Sequence, residues 1–166
     1  MNTGYLMKKL FNIKVNLSSL DLMRSDCSSH FIRMMDDMDI HHDWIQFEIT
    51  ETVATEYNAG LGMVIDGFMA AGVRLCLDDF GSGYANLNTV MRLPFSAIKI
   101  DRTLLFDICN DKKRAMFYQS IVETFHRMGY SIVSEGVETE EEMSLLSSWG
   151  VDMIQGLLFF QTTSSG

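Results

Sequence analysis

Short apolar segments alternate with amphipathic segments along the whole chain, and this alternation limits the fold more than any other feature. Each apolar segment is rich in Ile, Val, Leu and Phe, as buried strands are. In order, the segments are IKVNL, WIQFEIT, VRLCLDDF, SAIKID, SIVSEGV and MIQGLLFF. Strands that alternate with helices form parallel sheets of the α/β class. No linker interrupts the pattern, so we predict a single domain over residues 1–166, with an irregular start at residues 1–12.

Three of the intervening segments carry apolar residues at helical spacing, and we expect these stripes to face the core. The stripes are Tyr57, Leu61, Val64, Ile65 and Phe68; Phe117, Ile121, Phe125 and Met128; and Phe31, Met34, Met35 and Met38. Thr139, followed three residues later by Glu142, predicts a capping box at the start of a further helix. Gly72, Gly129 and Gly150 each precede a strand and are expected to end the helix before it.

Polar residues stand where nearly every predicted strand ends. Two architectures fit the alternation, an open doubly wound sheet and a (β/α) TIM-type barrel, and periodicity does not separate them. In barrels the functional side chains come from the carboxyl ends of several strands. One such residue is more simply the first solvated position of a loop, but Glu48 and Lys99 lie inside apolar runs and need partners. The barrel is therefore favoured by the whole set, which is Asn16, Glu48, Asp78, Asp79, Lys99, Asp101, Glu135 and Gln155.

The formal net charge of −9 limits the class of ligand. Nucleic-acid polymers are bound by Lys and Arg residues that displace counterions, so we expect no such partner. Carboxylates that hold divalent cations are still compatible with a phosphate ligand, because the ions dominate the local charge. Such oxygen ligands suit Mg²⁺ or Mn²⁺, and two ions about 3.5–4 Å apart serve phosphodiester hydrolysis. Lys99 would then position the attacking water or neutralise the phosphate, or else form a structural ion pair with Asp79 or Glu135.

Cysteine usage and hydropathy predict a cytoplasmic protein. Cys27, Cys76 and Cys109 are odd in number and contain no CxxC spacing, which argues against a disulfide framework and favours a reducing compartment. We expect no signal peptide, because no long apolar stretch follows the basic pair in MNTGYLMKKLF. We expect no membrane span, because Asp66 and Arg74 interrupt the most apolar stretch. The histidines match no site, and His41 and His42 are expected to be solvated in a polar loop.

Five segments form a specific series in order and spacing, namely FEITET, LDDFGSGYANL, LPFSAIKIDRTLL, VSEGVETEEE and IQGLLF, and VNLS fits before them. From Val15 to Phe159 the chain resembles the EAL family of bacterial cyclic-di-GMP phosphodiesterases. The resemblance implies a hydrolase on a TIM-type barrel. With Mg²⁺ or Mn²⁺ it would convert cyclic di-GMP to the linear dinucleotide pGpG in bacterial second-messenger signalling.

The resemblance also implies a role for each matching residue. The ligands of a two-metal site would be Asn16, Glu48, Asp78, Asp79 and Glu135. Glu135 and Lys99 would also act on the attacking water.

Outside the metal site, the resemblance implies supporting roles. Glu138 and Gln155 would line the substrate site. Glu51 would brace the loop that follows the aspartate pair, in which Gly81 and Gly83 allow tight turns.

The sequence departs from the family because the Glu-Ala-Leu triplet, whose glutamate is a metal ligand there, does not occur in it, nor does the arginine that follows the triplet. About six strand–helix units are present, whereas a closed barrel has eight, so we predict an incomplete barrel truncated at its N-terminal side. Residues 161–166 are expected to form a disordered tail. The chain alone would then hydrolyse cyclic di-GMP weakly or not at all. It would also associate through open strand edges with a further copy, or pair with a missing N-terminal segment or a sensory domain.

Two other functions remain possible for this sequence. One is a catalytically inactive EAL-like module that binds a nucleotide or a protein partner, which the absent glutamate favours and the retained acidic residues disfavour. The other is an unrelated metal-dependent barrel hydrolase, which the ordered series of motifs disfavours.

Overall fold

The computed structural model describes residues 13–56, 58–83 and 87–157, which form six strands and seven helices. The strands are β1 (Ile13–Asn16), β2 (Ile45–Thr50), β3 (Arg74–Phe80), β4 (Ala97–Ile100), β5 (Ser131–Glu135) and β6 (Met153–Gln155). The helices are α1 (Ser19–Leu22), α2 (Cys27–Asp37), α3 (Glu51–Thr55), α4 (Ala59–Ala70), α5 (Leu87–Arg92), α6 (Lys112–Arg127) and α7 (Glu140–Ser148). Short 3₁₀ turns span His42–Trp44 and Arg102–Leu104. Each predicted strand is present with different ends, and residues 158–160 of the last predicted segment lie outside the described residues.

The strands are hydrogen-bonded in the order in which they follow one another along the chain, from β1 to β6. The pairs β1–β2, β4–β5 and β5–β6 are parallel. An open doubly wound sheet reverses its strand order at a switch point, whereas the strands of a TIM-type barrel keep the chain order. The α/β class and the barrel-type architecture are therefore confirmed, and the doubly wound alternative is wrong. The described residues contain six strands of this type, against the eight of a closed barrel.

One compact unit consists of the described residues up to 77 together with residues 87–95. Its core is built around Phe47 of β2, which is 2% exposed. The Phe47 ring lies 4.6 Å from the ring of Phe68 on α4 and 5.1 Å from that of Phe31 on α2. The predicted stripe on α4 is confirmed by the burial of Leu61, Val64, Ile65 and Phe68. Tyr57, the first residue of that stripe, lies outside the described residues.

The predicted stripe on α2 is only partly right. Met35 is buried, but Met34 is 39% exposed and Met38 is 63% exposed. Ser28 takes part in the buried face of the helix instead, opposite Gly67 of α4. A methyl group added to Gly67 would lie only 2.4 Å from the Ser28 hydroxyl oxygen, so the small residues allow a close approach of the two helices. The spacing of apolar residues does not reveal this contact, because neither Ser28 nor Gly67 has an apolar side chain.

The second compact unit comprises residues 78–83 and 96–157, and its long helix α6 packs with a different face from the predicted one. Phe117 is 57% exposed and Met128 is 44% exposed, so the predicted stripe is wrong at these positions. The buried face consists of Tyr118, Val122 and Phe125. The Tyr118 hydroxyl donates a hydrogen bond of 2.8 Å to the Ser134 hydroxyl, which satisfies the phenol group inside the core. Tyr118, whose hydroxyl has a buried partner, therefore occupies the core in place of the predicted Phe117.

The predicted helix ends are confirmed. Gly72, Gly129 and Gly150 have φ angles of 77°, 90° and 82°, the left-handed conformation that ends a helix at glycine. The capping box of Thr139 and Glu142 is formed at the start of α7.

Among the described helices, none combines the length and the hydropathy that crossing a membrane requires. The irregular start predicted at residues 1–12 and the tail predicted at residues 161–166 lie outside the described residues. The assignment of a single domain stays a prediction.

Candidate metal centre

Two consecutive aspartates near the end of β3 begin the site. Asp78 is 7% exposed, and its Oδ1 accepts a hydrogen bond of 2.9 Å from the N–H of Asp79. Asp79 has a φ of 58°, in the left-handed region that aspartate tolerates better than most residues. Successive side chains of a regular strand point to opposite faces, and the left-handed residue breaks that alternation. Carboxylate oxygens of Asp78, Asp79 and Glu135 accordingly lie within 4.8 Å of one another.

Lys99 connects two of these carboxylates. Its Nζ lies 2.8 Å from Oδ1 of Asp78 and 2.8 Å from Oε1 of Glu135, and the residue is only 5% exposed. Lys99 is opposite Val133 in the parallel β4–β5 register, so its long side chain reaches two residues further along β5 to Glu135. The ion pair with Glu135, one of the two alternatives for Lys99, is present, and Asp78 shares the same ammonium group, while a role of Lys99 at the attacking water stays a prediction.

The chemistry of this group fits a divalent cation. Three carboxyl groups, those of Asp78, Asp79 and Glu135, lie close together, and the Lys99 ammonium group contacts two of them, so negative charge is in excess when the carboxyl groups are ionised. The atoms that these three residues offer to a metal are carboxylate oxygens, which Mg²⁺, Mn²⁺ and Ca²⁺ prefer to nitrogen or sulfur. Asp78, Asp79 and Glu135 are therefore the residues of this unit that would hold a metal ion.

Burial raises the pKa of Glu135 above its ordinary value. The hydrogen bond and the charge of Lys99 act in the opposite direction, while the Asp78 and Asp79 carboxylates raise the pKa of Glu135 further. A carboxylate with a raised pKa accepts a proton more readily than a free one, provided that it stays ionised at the working pH. The environment of Glu135 is therefore suited to a general base.

The two glycines of the loop after Asp79 differ in what they contribute. Gly81 has a φ of 92°, and a methyl group added to it would lie 2.4 Å from Cδ1 of Leu104. Both the backbone conformation and the lack of space therefore require glycine at this position. Gly83 is not in the left-handed region and has no atom within 4 Å of an added methyl group. The backbone at Gly83 therefore accepts other residues, and the role of Gly83 in a tight turn stays a prediction.

The residues predicted to line the substrate site belong to the same compact unit. Gln155 is the register partner of Glu135 in the β5–β6 pair, so these two strand ends lie side by side. Glu138 is exposed and lines a cavity of about 520 Å³, to which Gly136 and Phe106 also contribute. Gly136 directly follows Glu135, which places one wall of this cavity beside the acidic cluster. The contact of Glu138 and Gln155 with a substrate stays a prediction.

The other predicted site residues lie in the first unit. Asn16 is the register partner of Glu48 in the β1–β2 pair. Glu48 is 5% exposed, and its Oε1 lies 3.7 Å from Nζ of Lys14. Glu51, also 5% exposed, is the first residue of α3 and directly follows β2. The roles of Asn16 and Glu48 as metal ligands and of Glu51 as a loop brace stay predictions.

One histidine has a defined environment that the sequence does not indicate. Nδ1 of His42 lies 2.9 Å from the carbonyl oxygen of Ala71, and Nε2 lies 2.9 Å from Oδ1 of Asp36. The Ala71 carbonyl raises the pKa of His42 and the Asp36 carboxylate adds to the rise, while desolvation opposes it. The protonated ring donates to both partners and so links the C-terminal ends of α2 and α4. The solvated environment predicted for His42 is therefore wrong, whereas His41 is exposed as predicted.

Parallel strands in chain order, with an acidic cluster and a buried lysine at their carboxyl ends, define an α/β barrel-type protein with a centre suited to divalent metal. The family model of the EAL domain matches residues 3–162. The chain belongs to the EAL domain family.

Individual relatives agree with this assignment. The chain is 30% identical over 149 residues to the cyclic di-GMP phosphodiesterase PA2567 of Pseudomonas aeruginosa, an alignment that covers 90% of this chain and 25% of the relative. The solved EAL enzyme Bd1971 in its cAMP-bound form superposes with a TM-score of 0.85 at 28% identity, over 95% of this chain and 42% of that one. BlrP1 of Klebsiella pneumoniae, solved as a manganese and cyclic-di-GMP complex, has a TM-score of 0.81 at 30% identity, over 87% of this chain and 37% of that one. The chain thus spans less than half the length of each of these relatives.

Proposed function

We propose that this chain carries the metal-binding and water-activating groups of a cyclic di-GMP phosphodiesterase. The observation that supports this most directly is the Lys99 ammonium group, 2.8 Å from both Asp78 and Glu135 in a cluster suited to divalent metal. The name of the relative PA2567 and the ligands of the BlrP1 complex support the choice of cyclic di-GMP as substrate. The product would be the linear dinucleotide pGpG.

The reaction breaks one P–O3′ bond of the cyclic dinucleotide. The oxygen of a water molecule bonds to phosphorus, and the released O3′ takes up a proton. Glu135 would accept the proton of the attacking water, for which its raised pKa suits it. Lys99 would hold the Glu135 and Asp78 carboxylates in place and stabilise the negative charge that develops on the phosphate.

Mg²⁺ or Mn²⁺ bound by Asp78, Asp79 and Glu135 would supply Lewis acidity and lower the pKa of the nucleophilic water. The family resemblance supports Asn16 and Glu48 as further metal ligands.

The surroundings of the centre complete the proposal. Glu138 and Gln155 would contact the nucleotide, and Glu51 would brace the loop that contains Gly81. Cys27, Cys76 and Cys109, all within the described residues, form no disulfide bond, which fits a reducing cytoplasm. A second copy of the chain or a sensory domain would be its macromolecular partner.

A hydrolysis assay with matched variants tests the proposal. Conversion of cyclic di-GMP to pGpG is followed by chromatography at saturating Mn²⁺ and at a protein concentration high enough to measure the weak hydrolysis expected of this chain, and EDTA should abolish it. Glu135→Gln and Lys99→Ala should each reduce turnover by about a hundredfold or more, because general-base catalysis contributes about that factor. The exposed Glu123→Gln and Lys112→Ala on α6 make the same chemical changes and should retain parental turnover.

Two results would contradict the proposal. Turnover that persists in EDTA would exclude a metal-dependent reaction. Binding of cyclic di-GMP with Mn²⁺ but without any pGpG would indicate the inactive nucleotide-binding module instead.

A further inference from the structure

The turn that follows β4 is attached to the loop that follows β3. The N–H of Asp101 donates a hydrogen bond of 3.0 Å to the carbonyl oxygen of Phe80. Two residues later, the Thr103 hydroxyl donates one of 3.2 Å to the carbonyl oxygen of Gly81. Two consecutive carbonyl groups of the loop, directly after Asp79, are thus held by one short turn.

Packing at the same place complements these hydrogen bonds. Leu104 lies directly over Gly81, where an added methyl group would be 2.4 Å from Cδ1 and 2.8 Å from Cγ of the leucine. The turn itself is fixed, because Oδ1 of Asp101 accepts a hydrogen bond of 2.8 Å from the N–H of Thr103. A preformed turn therefore lies against the loop through both polar and apolar contacts.

The residue directly before these two carbonyl groups has the least favourable backbone conformation in the site. Asp79 has a φ of 58°, and its carbonyl oxygen accepts a hydrogen bond of 3.0 Å from the N–H of Ser82. A non-glycine residue keeps a left-handed conformation only where its surroundings impose it. If the loop relaxed to an extended backbone, the Asp79 side chain would alternate away from that of Asp78.

We propose that Thr103 and Leu104 are positioning residues of the metal centre. They hold the loop at Gly81, beside the backbone hydrogen bond of Asp101 to Phe80, so that the Asp79 carboxylate stays next to Asp78 and Glu135. This inference rests on the proposed metal-dependent function, and it assigns a purpose to a turn that does not itself contain a metal ligand.

The direct test is the affinity for Mn²⁺, measured by electron paramagnetic resonance of the free ion during titration. Leu104→Ala should weaken Mn²⁺ binding by about tenfold, the lower end of the effect of groups that orient metal ligands. Leu145→Ala on α7 truncates another half-buried leucine and should bind Mn²⁺ as the parent does. Thr103→Val should weaken binding in the same direction, and Thr103→Ser, which keeps the hydroxyl group, should restore it.

Unfolding in EDTA separates positioning from general stability. Leu104→Ala and Leu145→Ala should lose similar amounts of stability in EDTA, so only the Mn²⁺ affinity should distinguish them. Parental affinity in both Leu104→Ala and Thr103→Val would overturn the inference, and so would an equal loss of affinity in Leu145→Ala. If the parent chain does not bind Mn²⁺ at all, the proposed function fails together with this inference. If the parent binds Mn²⁺ and the variants bind it equally well, only this inference fails.

Discussion

Replacement of Lys99 by methionine should destabilise the protein strongly when no metal is present. The side chain of Lys99 is 6% exposed, and its ammonium group is shared by the Asp78 and Glu135 carboxylates, which are 10% and 19% exposed. Methionine keeps most of the volume but leaves two close carboxylates without the shared cation. Removing one partner of a buried ion pair costs about 3–5 kcal/mol. We expect about 3 kcal/mol, at the lower end, because Glu135 retains some contact with solvent.

Urea denaturation in EDTA measures this loss. For a slope of about 2 kcal/mol per molar urea, a loss of about 3 kcal/mol lowers the midpoint by about 1.5 M. Lys112→Met changes an exposed lysine of α6 in the same way and should shift the midpoint far less. The double variant Lys99→Met, Asp78→Asn should lose less unfolding free energy than the two single variants lose together, by at least about 1 kcal/mol. The reason is that Asp78→Asn removes one of the two carboxylates that Lys99→Met leaves without the shared cation.

The sign of the pH dependence provides a second check. Burial raises the pKa of Glu135 in the folded state. As the pH rises from the pKa of Glu135 in the unfolded chain, about 4.3, through its pKa in the folded protein, ionisation of Glu135 therefore lowers the stability of the fold. Lys99 counteracts this rise, and its loss raises the pKa of Glu135 further. The deficit of Lys99→Met should therefore be smallest at acidic pH and grow toward neutral pH. A shift equal to that of Lys112→Met, or a deficit that grows toward acidic pH, would refute the reasoning.

Two further predictions concern residues around the core of the fold. His42 has a raised pKa in the folded state, so its contribution is complete below the unfolded value of about 6.5 and is lost as the pH rises through the folded value. From about pH 6 to pH 9 the free energy of unfolding, measured by urea denaturation, should fall more for the parent than for His42→Gln. The exposed His41→Gln is the control and should behave as the parent does. An identical pH dependence of the parent and His42→Gln would contradict this. Gly81→Ala should cost about 1–3 kcal/mol because of its positive φ and the adjacent leucine, whereas Gly83→Ala should be neutral or slightly stabilising in the same urea assay. Equal effects at the two glycines would show that the loop backbone adapts.

Several features of this protein follow from short stretches of sequence. The six strands, the helix ends at Gly72, Gly129 and Gly150, and the capping box at Thr139 were all predictable. They depend on periodicity and on hydrogen bonds between residues a few positions apart, so local sequence contains the necessary information. The presence of Asp78, Lys99 and Glu135 near the strand ends was predictable for a related reason, because charged groups in apolar strands need a function or a partner.

Other features were decided only by the tertiary structure. The buried face of α6 contains Tyr118 in place of Phe117 because the hydroxyl of Ser134, on a different element, satisfies the phenol. His42 has its raised pKa because the carbonyl of Ala71 lies 29 positions away in the chain but within hydrogen-bonding distance.

The same holds within the candidate metal centre. The sharing of Lys99 between Asp78 and Glu135 depends on the register of three strands. The need for glycine at position 81 but not at 83 depends on Leu104, which packs there from the next strand's turn. Sequence determines which groups are available and where each element begins and ends. The pairing of groups that are distant in the chain is set by packing, since it depends on how the faces of several elements fit together at once.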